Sequence, residues 1–413
     1  DIYDVILFWG QSNMVGSCLN STEDRFDPND DESVKAFSKA TGIDEDILKN
    51  NTQSRNLLSI EQEDNTAYEY MYSTNTLEEI TADRNTYGEN LQFNSVTSDG
   101  EPTELSVGTS NIALSTSRGT NMIPQFCKTY YQNTGHKVVA VFAALGGKPI
   151  RQFLPYDDEG NDVEEKKYIY EAIKTKYLAA IKYMDDNNLK IGNRLYVVFQ
   201  GEADIARSTE VYKRDFLKVH NNLKNDLGIQ KGAICETSTQ IGRPWSYLEN
   251  VHNAQEELIE ENDDIILGSS YSYDRFVSQE SDYENCTTKV TYDEKGDRLD
   301  YDTAFTNATY SVDYPQNTIH LTSASLSQVG KDVAEAYSTI ESIEIQTLPA
   351  KKEYIQNYEK LDLTGAKLKI NYDNLESDII DITSDMVTGF DNSELGTQTL
   401  TVTYKGLTTK FNI

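Results

Sequence analysis

The stretch at residues 3–9 reads YDVILFW, and it runs directly into Gly10-Gln11-Ser12-Asn13-Met14. A nearly continuous run of β-branched and aromatic residues predicts a strand that is buried on both faces of a parallel sheet. Gly10 permits a sharp turn at the end of this strand, and Gly16 relieves the exit from the turn. We therefore expect the Ser12 hydroxyl at the carboxyl end of a strand, the edge where open α/β sheets bind their ligands.

Four further apolar runs have the same character, and helical patterns lie between them. The runs are KVVAVFAA (137–144), RLYVVFQ (194–200), GAICET (232–237) and DIILG (264–268). Helices are predicted at 121–133, 164–187, 209–227, 245–261 and 323–340. Because strands and helices alternate, the fold class is α/β, a three-layer α/β/α sandwich with a five-stranded parallel sheet.

Two polar segments interrupt this alternation, and the end of the chain follows another pattern. Residues 17–110 and 272–315 are predicted insertions, and loops of such length in a compact domain are usually functional or small subdomains. After residue 340, the short alternating runs IESIEIQ, KLKINY, TQTLTVTY and TTKFNI predict a small all-β sandwich. The predicted domains are therefore 1–338 and 341–413.

Composition excludes several classes of partner. The chain has 37 basic and 68 acidic residues, so a net charge of −31 disfavours nucleic acid and anionic lipid. No apolar run reaches 18 residues, so no membrane span is expected. The four cysteines, Cys18, Cys127, Cys235 and Cys286, match no zinc pattern, and one disulfide of undetermined pairing stays open. A first residue that is not Met fits a processed, secreted chain.

Four short blocks stand in order at predicted strand ends or helix starts. They are GQSNM (10–14), ALGGKPI (144–150), FQGEAD (199–204) and NTIHL (317–321). Together they resemble the signature blocks of SGNH hydrolases, in the branch that holds sialate O-acetylesterases and acetylxylan esterases of carbohydrate esterase family 6. The resemblance covers residues 1 to about 338 and implies a flavodoxin-like sheet. The tail resembles bacterial Ig-like modules of surface proteins, which implies an extracellular spacer or adhesion module.

The resemblance implies a role for each block. Ser12 would be the nucleophile and His320 the general base. The oxyanion would be held by the Ser12 N–H, an N–H at Gly146 or Gly147, and the side-chain amide of Gln200. The candidate supporting residues around this site are Gln11, Asn13, Glu202 and Asp204.

One position departs from the family pattern. Asn317 stands where the family has the aspartate of its catalytic triad, and an amide cannot supply the charge that stabilises an imidazolium. Three alternatives stay open. Another carboxylate replaces it, with Asp313, Glu202 and Asp204 as candidates; or a Ser–His dyad suffices; or catalysis has been lost and binding kept.

The remaining histidines are not expected to be catalytic. His136 precedes a strand and His220 lies within a helix, so both are predicted to be structural or surface residues. His252 lies on one face of a predicted helix. It is a candidate for a position near the substrate, but it is not expected to be catalytic.

The sequence thus predicts a serine esterase that removes acyl groups, O-acetyl above all, from a carbohydrate through an acyl-serine. No cofactor or metal is expected, and the location is secreted or cell-surface in a bacterium. A glycan or cell-surface contact through the Ig-like tail is an open option. The alternative is a catalytically weakened SGNH-fold protein that serves carbohydrate binding or adhesion on a cell or phage surface.

Overall fold

The computed structural model describes residues 1–16, 60–82, 84, 86–117, 121–155, 168–204, 207–238, 248–274, 320–321, 323–338, 340–372 and 377–413, with the single residues 31, 35 and 45. The chain divides into two compact units, Asp1–Glu335 and Ala336–Ile413.

The first unit is built on a seven-stranded sheet. Its strands are β1 (Tyr3–Gly10), β2 (Ala67–Met71), β3 (Thr76–Glu79), β6 (Lys137–Ala144), β7 (Ile191–Phe199), β8 (Lys231–Cys235) and β9 (Ile265–Ser269), and their order is β3-β2-β6-β1-β7-β8-β9. All neighbours pair in parallel except β2 and β3, which are antiparallel. A separate two-stranded antiparallel sheet joins β4 (Leu91–Phe93) to β5 (Leu105–Val107).

The strand count corrects the prediction of five. All five predicted strands are present, and β2 and β3 add two more from within the segment 17–110 that was predicted to be an insertion. The polar character of this segment hid β2, because the strand carries Glu69 in the core. The buried Glu69 carboxylate accepts hydrogen bonds from Arg84 at 2.5 Å and from the Gly88 N–H at 2.6 Å, which makes its burial tolerable.

Six described helices accompany the sheet. They are α1 (Ser12–Val15), α2 (Ile123–Thr134), α3 (Ile169–Asp186), α4 (Thr209–Leu227), α5 (Glu249–Glu261) and α6 (Ser323–Ser338). The five longer ones occupy the predicted helical positions. On α6, the apolar residues Leu326, Val329, Val333, Ala334 and Tyr337 are fully buried.

Both faces of β1 are covered, which accounts for its uninterrupted apolar run. Successive side chains of a strand point to opposite faces. Trp9 faces the side of α4, where its ring centroid lies 6.0 Å from that of Phe216. Phe8 faces the side of α2, where its ring meets Phe126 edge-on at 5.2 Å. The sheet is therefore the middle layer between helices, as predicted.

The second unit is all-β, as predicted. It consists of two three-stranded antiparallel sheets, one of β10 (Ile340–Thr347), β11 (Lys367–Tyr372) and β12 (Asp378–Asp381), the other of β13 (Val387–Thr388), β14 (Thr399–Tyr404) and β15 (Leu407–Asn412). Its core is a cluster that includes Leu368, Ile370, Leu400, Val402 and Phe411. The short strands β12 and β13 were not predicted.

Two remaining expectations concern cysteines and the membrane. Cys127 and Cys235 are buried free thiols, and Cys18 and Cys286 lie outside the described residues. Within the described part of the chain, no helix is both long and apolar enough to span a bilayer.

Candidate active site

Three of the four sequence blocks meet at the carboxyl edge of the sheet. In the parallel register of β1 with its two neighbours, Gly10 stands opposite Ala144 of β6 and Phe199 of β7. The segments that follow these three residues therefore leave the sheet side by side. The fold thus places the residues after Gly10, Ala144 and Phe199 around one spot, as expected for a ligand site in an open α/β sheet.

The turn after β1 requires glycine. Gly10 has φ = 142°, and a Cβ added there would lie 2.1 Å from the Phe199 carbonyl oxygen. The chain is held at this point by hydrogen bonds from the Gln11 N–H to Phe199 O and from the Leu145 N–H to Gly10 O, both 3.0 Å. Ser12 then begins the short helix α1 and is half-buried.

Gly146 lies directly beside Ser12. A Cβ built on Gly146 would stand 3.9 Å from both the Cα and the Cβ of Ser12. The backbone N–H groups of Ser12 and Gly146 make no hydrogen bond to any part of the protein that the structure describes. Gly147 is exposed and has φ = 70°. Two N–H groups close to the Ser12 side chain are therefore available as donors, and an oxyanion requires such donors.

A buried carboxylate holds the residues on either side of Ser12. Glu202 follows β7, and its two oxygens accept hydrogen bonds from Gln11 Nε2 at 2.5 Å and Asn13 Nδ2 at 2.6 Å. Burial raises the pKa of Glu202 to about 7, although the hydrogen bond from Asn13 acts to lower it. Glu202 therefore fixes the orientation of the turn that presents Ser12.

Asn13 also connects this turn to the fourth block. Its Oδ1 accepts a hydrogen bond of 3.1 Å from the N–H of Leu321, the residue that follows His320. The residues next to Ser12 and next to His320 are thus bonded to each other, although 308 positions separate them. Asn317 and Asp313 lie outside the described residues.

Gln200 is held in a second buried network. Its Nε2 donates to Asp204 Oδ2 at 2.5 Å and to Lys148 O at 3.2 Å, while its Oε1 accepts from the Tyr212 hydroxyl at 2.9 Å. Both amide hydrogens are therefore engaged. The predicted oxyanion role of Gln200 requires a substrate oxygen to replace the Lys148 carbonyl, which is the longer of the two bonds.

The two described carboxylates that were candidates for the missing triad acid already serve other groups. Both oxygens of Glu202 brace the Ser12 turn. Those of Asp204 accept from Arg207 Nε at 2.7 Å on one side and from Gln200 and the Ile150 N–H on the other. Burial raises the pKa of Asp204, against the lowering effect of these hydrogen bonds. Each carboxylate thus holds other residues of the site in place: Glu202 holds the Ser12 turn, and Asp204 holds the Gln200 side chain.

Two of the other histidines have structural partners. His136 contacts the buried Asp4 at 2.9 Å, and His220 pairs with the Tyr196 hydroxyl at 2.8 Å. Burial lowers the pKa of His220, so the neutral ring is favoured.

The sequence did not reveal Tyr212 and Gln255 as parts of the site. Tyr212 comes from α4 and fixes the Gln200 amide, and Gln255 comes from α5 and donates to the Gln200 carbonyl at 3.0 Å. Both are buried residues of helices. In the sequence, each is recognisable only as a polar residue among the apolar residues of the buried helix face.

Comparison with known proteins agrees with this architecture. Residues 80–271 match the family described as carbohydrate esterase, sialic acid-specific acetylesterase. Residues 348–413 match the bacterial Ig-like domain, group 3. The first match includes Gly146, Gln200 and Glu202, whereas Ser12 and His320 lie outside it. A comparison with curated protein sequences gave no match.

Three solved structures are similar to the chain at low identity. A protein of Arabidopsis thaliana is 13% identical over 81% of this chain and 97% of its own, with a TM-score of 0.40. A carbohydrate acetylesterase from Xanthomonas citri is 12% identical over 89% and 62%, with a TM-score of 0.36. NanS is 13% identical over 81% and 96%, with a TM-score of 0.29.

The chain therefore combines a segment, 80–271, that matches the carbohydrate esterases of the sialic acid-specific acetylesterase family with a C-terminal segment, 348–413, that matches bacterial Ig-like domains.

Proposed function

We propose that the protein is a serine esterase that removes O-acetyl groups from a carbohydrate. One observation carries the proposal: the turn that presents Ser12 is bonded through Asn13 to the backbone beside His320. The match of residues 80–271 to a carbohydrate esterase family supports the same reaction class.

In the proposed reaction, the Ser12 Oγ attacks the carbonyl carbon of the ester and its proton passes to His320. The negative charge that develops on the carbonyl oxygen is held by the N–H groups of Ser12 and Gly146. When the tetrahedral intermediate collapses, the C–O bond to the sugar breaks and His320 returns the proton to the sugar oxygen. Water then attacks the acyl-serine by the same route and releases acetate.

The triad acid is the part of the mechanism that this chain alters. Glu202 and Asp204 are engaged in bracing, which leaves Asp313 as the replacement acid, a Ser12–His320 dyad, or a role for Asn317 in orienting the ring. We expect Asn317→Asp to raise kcat, since a carboxylate beside the imidazole stabilises its protonated form in the transition state. An unchanged or lower kcat would show that the acid position does not limit the rate.

The location and the tail belong to the same proposal. We place the protein outside the cell or on its surface, with the Ig-like unit as a spacer or a contact to glycan. The match of residues 348–413 to a bacterial Ig-like family supports this placement.

The test of the proposed substrate is acetate release from O-acetylated glycans. Wild type and Ser12→Ala would be incubated with O-acetylated sialic acid and with acetylated xylan, and free acetate measured over time. The proposal predicts release from one of these by wild type and none by the variant. Binding of an acetylated glycan by both proteins, without release by either, would favour the alternative of a carbohydrate-binding protein on an esterase fold.

A further inference from the structure

A second cluster of titratable side chains lies at the carboxyl edge of the sheet, on elements other than those that carry Ser12 and His320. Glu236 directly follows β8, and His252 and Glu256 are one helical turn apart on α5. One potential ligand atom of each residue lies within 4.8 Å of those of the other two. None of the three side chains has a part in the proposed esterase reaction.

Both carboxylates lie close to the His252 ring. Its Nδ1 is 3.8 Å from Glu236 Oε1, and its Nε2 is 3.5 Å from Glu256 Oε1. The ring stacks on Tyr273, with the ring centroids 3.8 Å apart and the planes inclined by 8°. This stacking fixes the plane of the imidazole and therefore the directions in which its nitrogens point.

Glu236 supplies an independent observation. Its side chain is only 7% exposed, and within the described part of the chain its carboxylate accepts no hydrogen bond. A buried carboxylate normally has hydrogen-bond donors or a metal ion as its partner. Glu256 of α5 and Asp274, which follows β9, add like charges from the neighbouring elements. Burial and these two charges raise the pKa of Glu236 to about 7.

We propose that Glu236, His252 and Glu256 form a binding site for a divalent transition-metal cation of the Zn²⁺ type. One imidazole nitrogen and two carboxylate oxygens are donors that Zn²⁺ accepts, and three protein ligands leave a further position for water. An imidazole ligand favours Zn²⁺ over Mg²⁺ and Ca²⁺, which prefer oxygen. The spacing of four residues places His252 and Glu256 on one face of α5.

The electrostatics of the cluster favour a cation. Glu236, Glu256 and Asp274 together place three carboxylates near the His252 ring. A divalent cation would offset their mutual repulsion and connect the end of β8 to α5. The site does not depend on the esterase proposal, because it shares no residue with it.

The test is zinc titration by calorimetry on full-length protein freed of metal with EDTA. Wild type is compared with Glu236→Gln and Glu256→Gln. The matched control is Glu260→Gln, which removes the same charge from an exposed position of the same helix. We expect one Zn²⁺ per wild-type chain, affinity at least about tenfold weaker in each cluster variant, and wild-type affinity in the control.

Absence of zinc binding by wild type would overturn the site. Equal binding by wild type and both cluster variants would do so too, because it would place the ion elsewhere. Glu256 is 55% exposed, so its variant should fold even if Glu236→Gln does not. Ser12→Ala should bind zinc as wild type does. Loss of zinc binding in Ser12→Ala would also contradict the proposal, because the ion would then belong to the catalytic site.

Discussion

At the scale of single residues, the site depends on side chains that hold the Ser12 turn in place. Gln11 and Asn13 both donate to Glu202, and Asn13 in turn accepts from the backbone beside His320. The short sequence blocks alone indicated Ser12 and His320. They also indicated the supporting residues Gln11, Asn13, Glu202 and Asp204. It could not show that Glu202 contacts both flanks of Ser12, because that contact joins positions about 190 residues apart.

Glu202→Gln should reduce activity more than binding. The new amide turns an N–H group toward Gln11 or Asn13, and both of these side chains are themselves donors. One hydrogen bond to a charged group is therefore lost, and such a bond contributes about 1.5–3 kcal/mol. We expect kcat to fall about tenfold or more with little change in KM. Steady-state kinetics measure both constants, and an unchanged kcat would show that Glu202 does not position the turn.

The same substitution makes a prediction about pH. Since burial raises the pKa of Glu202 from 4.5 to about 7, the folded state keeps this proton over a range in which the unfolded chain has lost it. The wild type therefore loses stability as pH rises from about 4.5 to 7, by roughly 3 kcal/mol at most. The Glu202→Gln variant does not lose stability in this way, because its amide side chain does not titrate.

The stability of Glu202→Gln relative to wild type should thus increase between pH 5 and pH 8 and then level off. Urea unfolding at several pH values measures the difference. A difference that stays constant over this range would mean that the Glu202 pKa is not raised in the folded protein.

Gly146→Ala tests the space beside Ser12. The added methyl would meet only Ser12, at an ordinary contact distance of 3.9 Å, so folding should be unaffected. We expect the free energy of unfolding to change by less than about 0.5 kcal/mol. We expect kcat/KM to fall at least about tenfold, because the methyl occupies the place of the substrate carbonyl. Wild-type kinetics in a folded variant would move the oxyanion site away from Gly146.

At the scale of elements, the sequence predicted the strands that are apolar throughout and overlooked those that carry charge. β1, β6, β7 and β8 are buried on both faces over most of their length, and β9 is buried except at Leu267, so their composition is distinctive. β2 contains Glu69 and pairs with the exposed β3. The positive charges of Lys176 and Arg84 and the Gly88 N–H, all distant in sequence, make this burial tolerable. The sequence around a strand cannot reveal a hydrogen-bond partner that is distant in the chain.

The junction of β1 and α1 should tolerate no side chain at Gly10. In Gly10→Ala the methyl would collide with the Phe199 carbonyl, in addition to the strain of a positive φ. Gly135→Ala is the matched control, since Gly135 also has a positive φ but no atom within 4 Å of the added methyl. We expect about 1–2 kcal/mol of destabilisation in the control and clearly more in Gly10→Ala. Equal losses in urea unfolding would contradict the close approach of β1 and β7.

At the scale of the whole molecule, the chain comprises two units with separate cores. The cluster around Leu368 and Leu400 contains only residues of the second unit. All the residues that we assign to the esterase reaction lie in the first. The change from helical to alternating patterns near residue 340 predicted a division there. The insertion at 272–315 stays a prediction, whereas part of 17–110 supplies β2 and β3 of the sheet.

Separate expression tests the independence of the units. Residues 1–339 keep α6 whole, including the buried Tyr337, and should retain the activity of the full chain. Residues 340–413 should unfold cooperatively by themselves. Loss of activity in the first fragment, with its fold intact by circular dichroism, would show that the Ig-like unit takes part in the reaction.

The most direct test of the central claim is hydrolysis of p-nitrophenyl acetate by wild type and by Ser12→Ala at equal folded concentration. The account predicts clear turnover by wild type and loss of that turnover in the variant, since Ser12 is the serine that stands beside Gly146 on the turn held by Glu202. Equal turnover by the two proteins would contradict the assignment of Ser12 as the nucleophile.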